Sequence, residues 1–152
     1  MPLRLDHANL VVRDLDRQVD FYCRLLGFRV VLRRELSGDW ISQVVGARTA
    51  RMDCAILEAP GGGARLELLA YDHPEALELP GHEAPSALGL RHLAFTVDDL
   101  DTMAATLIAE GVRPISAPAT VPFRVGGRRK RLLYFHDPEG VLLELAEYTD
   151  VV

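Results

Sequence analysis

Hydrophobic and polar residues alternate over residues 3–12, and then Leu15, Val19, Tyr22, Leu25 and Leu26 recur at helical spacing. The chain therefore opens as a strand followed by a helix. Asp14 stands at the N-cap position and Gly27 offers a stop, which bounds that helix at both ends. The same succession returns in the second half. Residues 90–97 alternate, Asp98 or Asp99 can cap a helix, Leu100, Met103, Ala104, Leu107 and Ile108 share one of its faces, and Gly111 ends it. Three strand candidates follow each helix, at 28–35, 51–57 and 65–71 and then at 112–116, 131–135 and 141–148. Each half reads β-α-β-β-β, an α+β organisation of two tandem modules.

The agreement extends to the residues themselves. Leu5-Asp6-His7-Ala8-Asn9-Leu10-Val11-Val12 aligns at constant offset with Leu90-Arg91-His92-Leu93-Ala94-Phe95-Thr96-Val97, and Glu67-Leu68-Leu69-Ala70-Tyr71 answers Glu144-Leu145-Ala146-Glu147-Tyr148. A repeat at both ends of each half implies two similar structural units. Residues 1–71 form the first module and 89–152 the second. The stretch 72–88, with Pro74, Pro80, Gly81 and Pro85, reads as the linker inside one domain of 152 residues.

Strand parity places the chemistry. Side chains alternate faces, so Ala8, Leu10 and Val12 form an apolar set suited to the helix while His7 and Asn9 lie on the other side. Leu93, Phe95 and Val97 likewise separate from His92, Ala94 and Thr96. Glu67 and Glu144 sit in leucine-rich strands, where an ionised carboxylate needs a cation or a metal. Two imidazoles and two carboxylates at equivalent positions form a nitrogen and oxygen donor set suited to one divalent ion: Ni, Zn, Co, Fe or Mn. The competing reading pairs the glutamates with Arg65, Arg91 or Arg131.

Bulk properties narrow the classes. A net charge of −5 disfavours nucleic acid as a partner. No run approaches about 18 apolar residues, which points away from a membrane span and toward a cytoplasmic protein. Cys23 and Cys54 fit no metal or redox spacing and read as small buried residues. Residues 121–131 form a glycine-centred basic turn, read either as a solvated hairpin tip or as an anion clamp built on Arg124 and the Arg128 to Arg131 cluster.

Several segments together resemble the vicinal oxygen chelate superfamily: Leu5-Asp6-His7, Asp20-Phe21-Tyr22, Leu25-Leu26-Gly27-Phe28, the run from Gly89 through His92 to Phe95, Phe135-His136-Asp137-Pro138-Glu139-Gly140 and Leu143-Glu144-Leu145. That superfamily includes glyoxalase I, methylmalonyl-CoA epimerase, extradiol dioxygenases and bleomycin-resistance proteins. The resemblance implies curved mixed sheets enclosing a metal at their concave face, with His7, Glu67, His92 and Glu144 at the ligand positions. It is similar in donor set to the isomerase and lyase branch. Methylmalonyl-CoA epimerases usually carry glutamine where this chain has Glu67. The loop at 37–46 does not match the substrate region of glutathione-dependent members.

The expected activity is a metal-dependent lyase, isomerase or epimerase that forms an enolate on a small carbonyl substrate, with Glu67 or Glu144 as general base. Alternatives are a small-molecule or antibiotic binding protein and an iron-dependent ring-cleaving dioxygenase. Asn9, Trp40, Arg124 and Arg128 are the substrate-contact candidates, and anionic substrates suit the last two. His73, His82 and His136 read as surface residues, and 136–140 as a turn. Family analogy adds a homodimer.

Overall fold

The computed structural model describes residues 3–150. The chain divides into two compact units, one ending at Glu78 and the other beginning at Leu79. In the first, strand β1 (His7–Val11) leads to helix α1 (Leu15–Asp20), which continues as a π-helical segment over Phe21–Leu25. Strand β2 (Arg29–Ser37), helix α2 (Asp39–Val45), β3 (Arg51–Glu58) and β4 (Arg65–His73) follow. The second unit contains β5 (His92–Thr96), α3 (Leu100–Ala109), β6 (Ala119–Thr120), β7 (Arg129–His136) and β8 (Leu142–Thr149).

Each unit is one four-stranded mixed sheet. The orders are β1-β4-β3-β2 and β5-β8-β7-β6, with β1 parallel to β4 and β5 parallel to β8. The α+β architecture and its duplication are those read from the pattern. Asp14 and Asp99 cap α1 and α3 by accepting from the backbone N–H of Arg17 at 3.0 Å and Thr102 at 2.9 Å. The Thr102 bonds hold Asp99 below the usual carboxylate range. Gly27 and Gly111 follow the helices with φ of 72° and 81°, a left-handed conformation that glycine adopts at little cost.

Helices cover one face of each sheet. Leu15, Phe21, Tyr22 and Leu25 are buried with Leu57, Leu66 and Leu68 in the first unit; Leu100, Ala104 and Leu107 are buried with Leu133, Phe135, Leu143 and Leu145 in the second. The two histidines lie on the opposite faces, as parity requires.

Two elements differ from the pattern. No strand forms at 112–116; Ile115 donates one bond to the Tyr134 carbonyl, and the paired residues are Ala119 and Thr120. Pro114 and Pro118 lack the N–H that a continuous ladder requires. The loop expected around Trp40 is instead α2. Ser42 ties that helix down, donating to the Gly38 carbonyl and accepting from the Ala50 N–H, both at 2.9 Å. Ile41 then packs with Met52, Cys54 and Leu69 on the face that the first helix leaves open.

Candidate functional site

Register brings the first His–Glu pair together. Asn9 is aligned with Glu67 across β1 and β4, so His7, two residues earlier, lies on the same face. His7 Nε2 is 3.5 Å from Glu67 Oε2. The other ring nitrogen, Nδ1, contacts Asp6 Oδ2 at 2.8 Å, and Arg65 donates to the second Asp6 oxygen at 2.5 Å. With an ionised Asp6 the bond assigns the proton to Nδ1 and turns the Nε2 lone pair toward Glu67. His7 and Arg65 hold the Asp6 carboxyl below its ordinary value. Asn9 Nδ2 donates to Glu67 Oε2 at 3.2 Å and to the Glu67 carbonyl at 3.3 Å. On the other side, Cys54 Sγ lies 4.0 Å from Glu67 Oε1; burial and the Glu67 charge push that thiol up to about 11.

The second pair repeats the geometry with different neighbours. His92 Nε2 is 3.2 Å from Glu144 Oε2. The Glu144 side chain is only 4% exposed, and Lys130 Nζ is 2.6 Å from Oε1. Each carboxylate oxygen thus faces a different nitrogen. Tyr134, aligned with Glu144 across β7 and β8, sets its ring 5.1 Å from the His92 ring. Burial and the neighbouring Glu144 charge raise the Tyr134 hydroxyl above its usual value, while the bond to Glu144 raises the Lys130 ammonium.

These pairs fit a metal by their donor spacing. Ligands bound at about 2.1 Å and separated by about 90–110° lie about 3.0–3.4 Å apart, close to both observed separations. The Asp6–His7 bond adds the carboxylate partner that metal-binding histidines usually have. His7 and Glu67 in one unit, and His92 and Glu144 in the other, are the groups that could hold an ion. Among the described residues, no three His, Cys, Asp or Glu side chains converge into a larger cluster.

The arginines considered as glutamate partners are engaged elsewhere. Arg65 binds Asp6, Arg91 donates to the His82 carbonyl, and Arg131 binds Asp101 and Glu147. Arg128 donates to Asp150 at 3.0 Å and to the Tyr148 carbonyl at 2.8 Å, so much of the expected clamp serves to fasten the tip of β7. Arg124 is exposed beside the turn closed by the Val125–Arg128 bridge. Trp40 is 57% exposed on α2. His82 and His136 contact backbone carbonyls, Glu139 at 3.1 Å and Glu83 at 3.0 Å, and Asp137 accepts from Glu139 and Val141 to form the expected turn.

Two site neighbours, Asp6 and Tyr134, were given no site role in the sequence, and Lys130 entered only as part of the basic cluster at 128–131, with no link to Glu144. Parity along 130–135 was the available signal, since it puts Lys130 and Tyr134 opposite Arg131 and Leu133. Without the β7–β8 register, nothing linked either residue to Glu144.

Comparison with known proteins gives a consistent relationship. The chain is 32% identical to YaeR of Escherichia coli over 146 residues, covering 95% of both proteins. It is 34% identical to a 2-epi-5-epi-valiolone epimerase of Actinomyces sp. over 145 residues, covering 91% of this chain and 76% of the relative. The crystal structure of a glyoxalase family protein from Bacillus cereus matches with a TM-score of 0.83 at 29% identity, covering 97% of this chain and 95% of that one. The sequence profile of one family matches residues 4–145. The chain belongs to the Glyoxalase/Bleomycin resistance protein/Dioxygenase superfamily.

Proposed function

We propose that the protein is a divalent-metal-dependent isomerase, lyase or epimerase acting on a small carbonyl substrate through an enolate. The observation that carries this reading is the duplicated pair, with Nε2 facing Oε2 at 3.5 Å in one unit and 3.2 Å in the other. His7, Glu67, His92 and Glu144 are the proposed metal ligands, in a homodimeric cytoplasmic enzyme. When bound, such an ion polarises a carbonyl and acidifies the neighbouring C–H.

The chain's own groups divide the remaining work unequally. Glu144 is almost fully buried and paired with an ammonium, which favours a fixed carboxylate. Glu67 is 19% exposed and contacts the neutral Asn9 amide. Glu67 is therefore the better placed of the two to move, take the substrate proton and return it. Return to the neighbouring carbon gives isomerisation, and return to the opposite face gives epimerisation. The epimerase among the relatives supports proton return at a single carbon.

The test is elemental analysis of the purified chain with His7→Ala and His92→Ala, followed by solvent-deuterium exchange into 2-oxoaldehyde adducts and acyl-CoA thioesters. About one first-row metal per chain, lost in both variants, is expected together with exchange that Glu67→Gln abolishes. Wild type that remains metal-free after reconstitution defeats the proposal.

A further inference from the structure

We propose that Lys130 is a built-in competitor of the metal ion: its ammonium shares the Glu144 carboxylate with the ion and lowers the affinity with which the ion is held. The assignment concerns the His92–Glu144 pair alone, within the second unit. It rests on the metal reading above and deepens it by naming the residue that tunes metal affinity.

Glu144 divides its two oxygens between different partners. Oε2 faces His92 Nε2 at 3.2 Å, and Oε1 lies 2.6 Å from Lys130 Nζ. The Glu144 and Lys130 side chains are 4% and 16% exposed, so water screens this ion pair poorly. Strand pairing keeps the lysine there. Across β7 and β8, Lys130 is aligned with Tyr148 and Tyr134 with Glu144, which puts all four on one face, and Nζ is 5.6 Å from the Tyr148 ring centroid. The other acids at this end of β8 have cations of their own. Glu147 pairs with Arg131 and Asp150 with Arg128, so an ammonium displaced from Glu144 finds both already matched.

An ion held by Oε2 and an ammonium beside Oε1 draw on a single negative charge, and they repel one another in poorly hydrated surroundings. Removing the ammonium therefore acts in one direction on both states. Without metal, it leaves a buried carboxylate lacking a cation, which raises the energy of that state. With metal, it takes away the repulsion. Both changes tighten binding. A lysine that only positioned Glu144 would give the opposite sign, because losing the support of a ligand weakens the hold on the ion. In the first unit the equivalent carboxylate is surrounded differently. Glu67 has the neutral Asn9 amide at 3.2 Å and the Cys54 thiol at 4.0 Å, and neither competes for its charge.

The experiment measures the Co(II) affinity of the full chain by competition with a chelating indicator, independently of turnover. Wild type is compared with Lys130→Met, Lys130→Gln and Arg128→Met, each checked for fold by circular dichroism. Met and Gln both remove the charge at 130, so either variant suffices if the other does not fold. Arg128 also contacts the Tyr148 ring, with its guanidinium carbon 5.7 Å from the centroid, and serves as the control for bulk charge. Binding should tighten about tenfold or more in the Lys130 variants and change less than about threefold in Arg128→Met. Unchanged or weaker binding in a folded Lys130 variant, or equal tightening in Arg128→Met, overturns the competition, while Co(II) uptake by wild type leaves the metal reading standing. Absence of Co(II) uptake by all four proteins overturns both.

Discussion

The two units share a sheet order, capped helices and a His–Glu pair, and they differ beside the glutamate. In the first, the connection between β2 and β3 folds back as α2, and Ile41 closes over Met52, Cys54 and Leu69. In the second, β6 is only two residues long and the connection to β7 is the basic turn containing Gly126 and Gly127. Glu67 therefore has an amide and a thiol for neighbours, whereas Glu144 has an ammonium and the Tyr134 hydroxyl. A duplicated framework can keep the same donors in both copies while changing what surrounds them. The change separates a carboxylate suited to moving from one suited to staying.

The strongest challenge to that contrast is removal of each glutamate in turn. Glu144→Ala leaves Lys130 without its partner in a largely buried position and should cost about 3–5 kcal/mol, whereas Glu67→Ala should cost about 1 kcal/mol through loss of the Asn9 contact. Urea unfolding of the metal-free proteins measures both, and equal losses would erase the asymmetry. Covering is tested next by Ile41→Ala, which opens a cavity over the Met52–Cys54–Leu69 cluster and should cost about 2–3 kcal/mol by the same assay.

Where the units are alike, substitutions should act alike. Asp14→Ala and Asp99→Ala each remove an N-cap and should lower stability by about 1 kcal/mol, read as similar falls in Tm. The weakest effect is confined to alkaline solution. Burial and Glu67 raise the Cys54 thiol from 9.0 to about 11, so the folded chain favours the protonated form. Its contribution is fully present below pH 9.0 and is lost as pH climbs through about 11. Chemical denaturation across that window should show a falling stability that Cys54→Ala flattens; identical slopes would place the alkaline sensitivity elsewhere.

Local pattern was sufficient for much of the framework. Asp14 and Gly27 bounded the first helical segment, Asp99 and Gly111 bounded α3, and alternation set His7 and His92 opposite the helix-packed faces, because these features depend on residues close in the chain. The missing strand at 112–116 was also locally legible in Pro114 and Pro118, although apolar residues between them suggested otherwise. Helix α2 was harder to see. Its stability depends on Ile41 reaching a sheet face assembled from β3 and β4, and on Ser42 bonding to Ala50.

The sequence by itself determined the duplication, the faces of the strands and the identity of four candidate donors, since a period of two and a repeated motif need no knowledge of distant contacts. Tertiary structure decided which donors face one another within each unit and which cation accompanies Glu144. Parity could separate Lys130 from Arg131, but only the pairing of β7 with β8 could put that lysine beside Glu144 and Arg131 beside Glu147. Charge partners across a sheet are set by strand register, and register is a property of the assembled sheet.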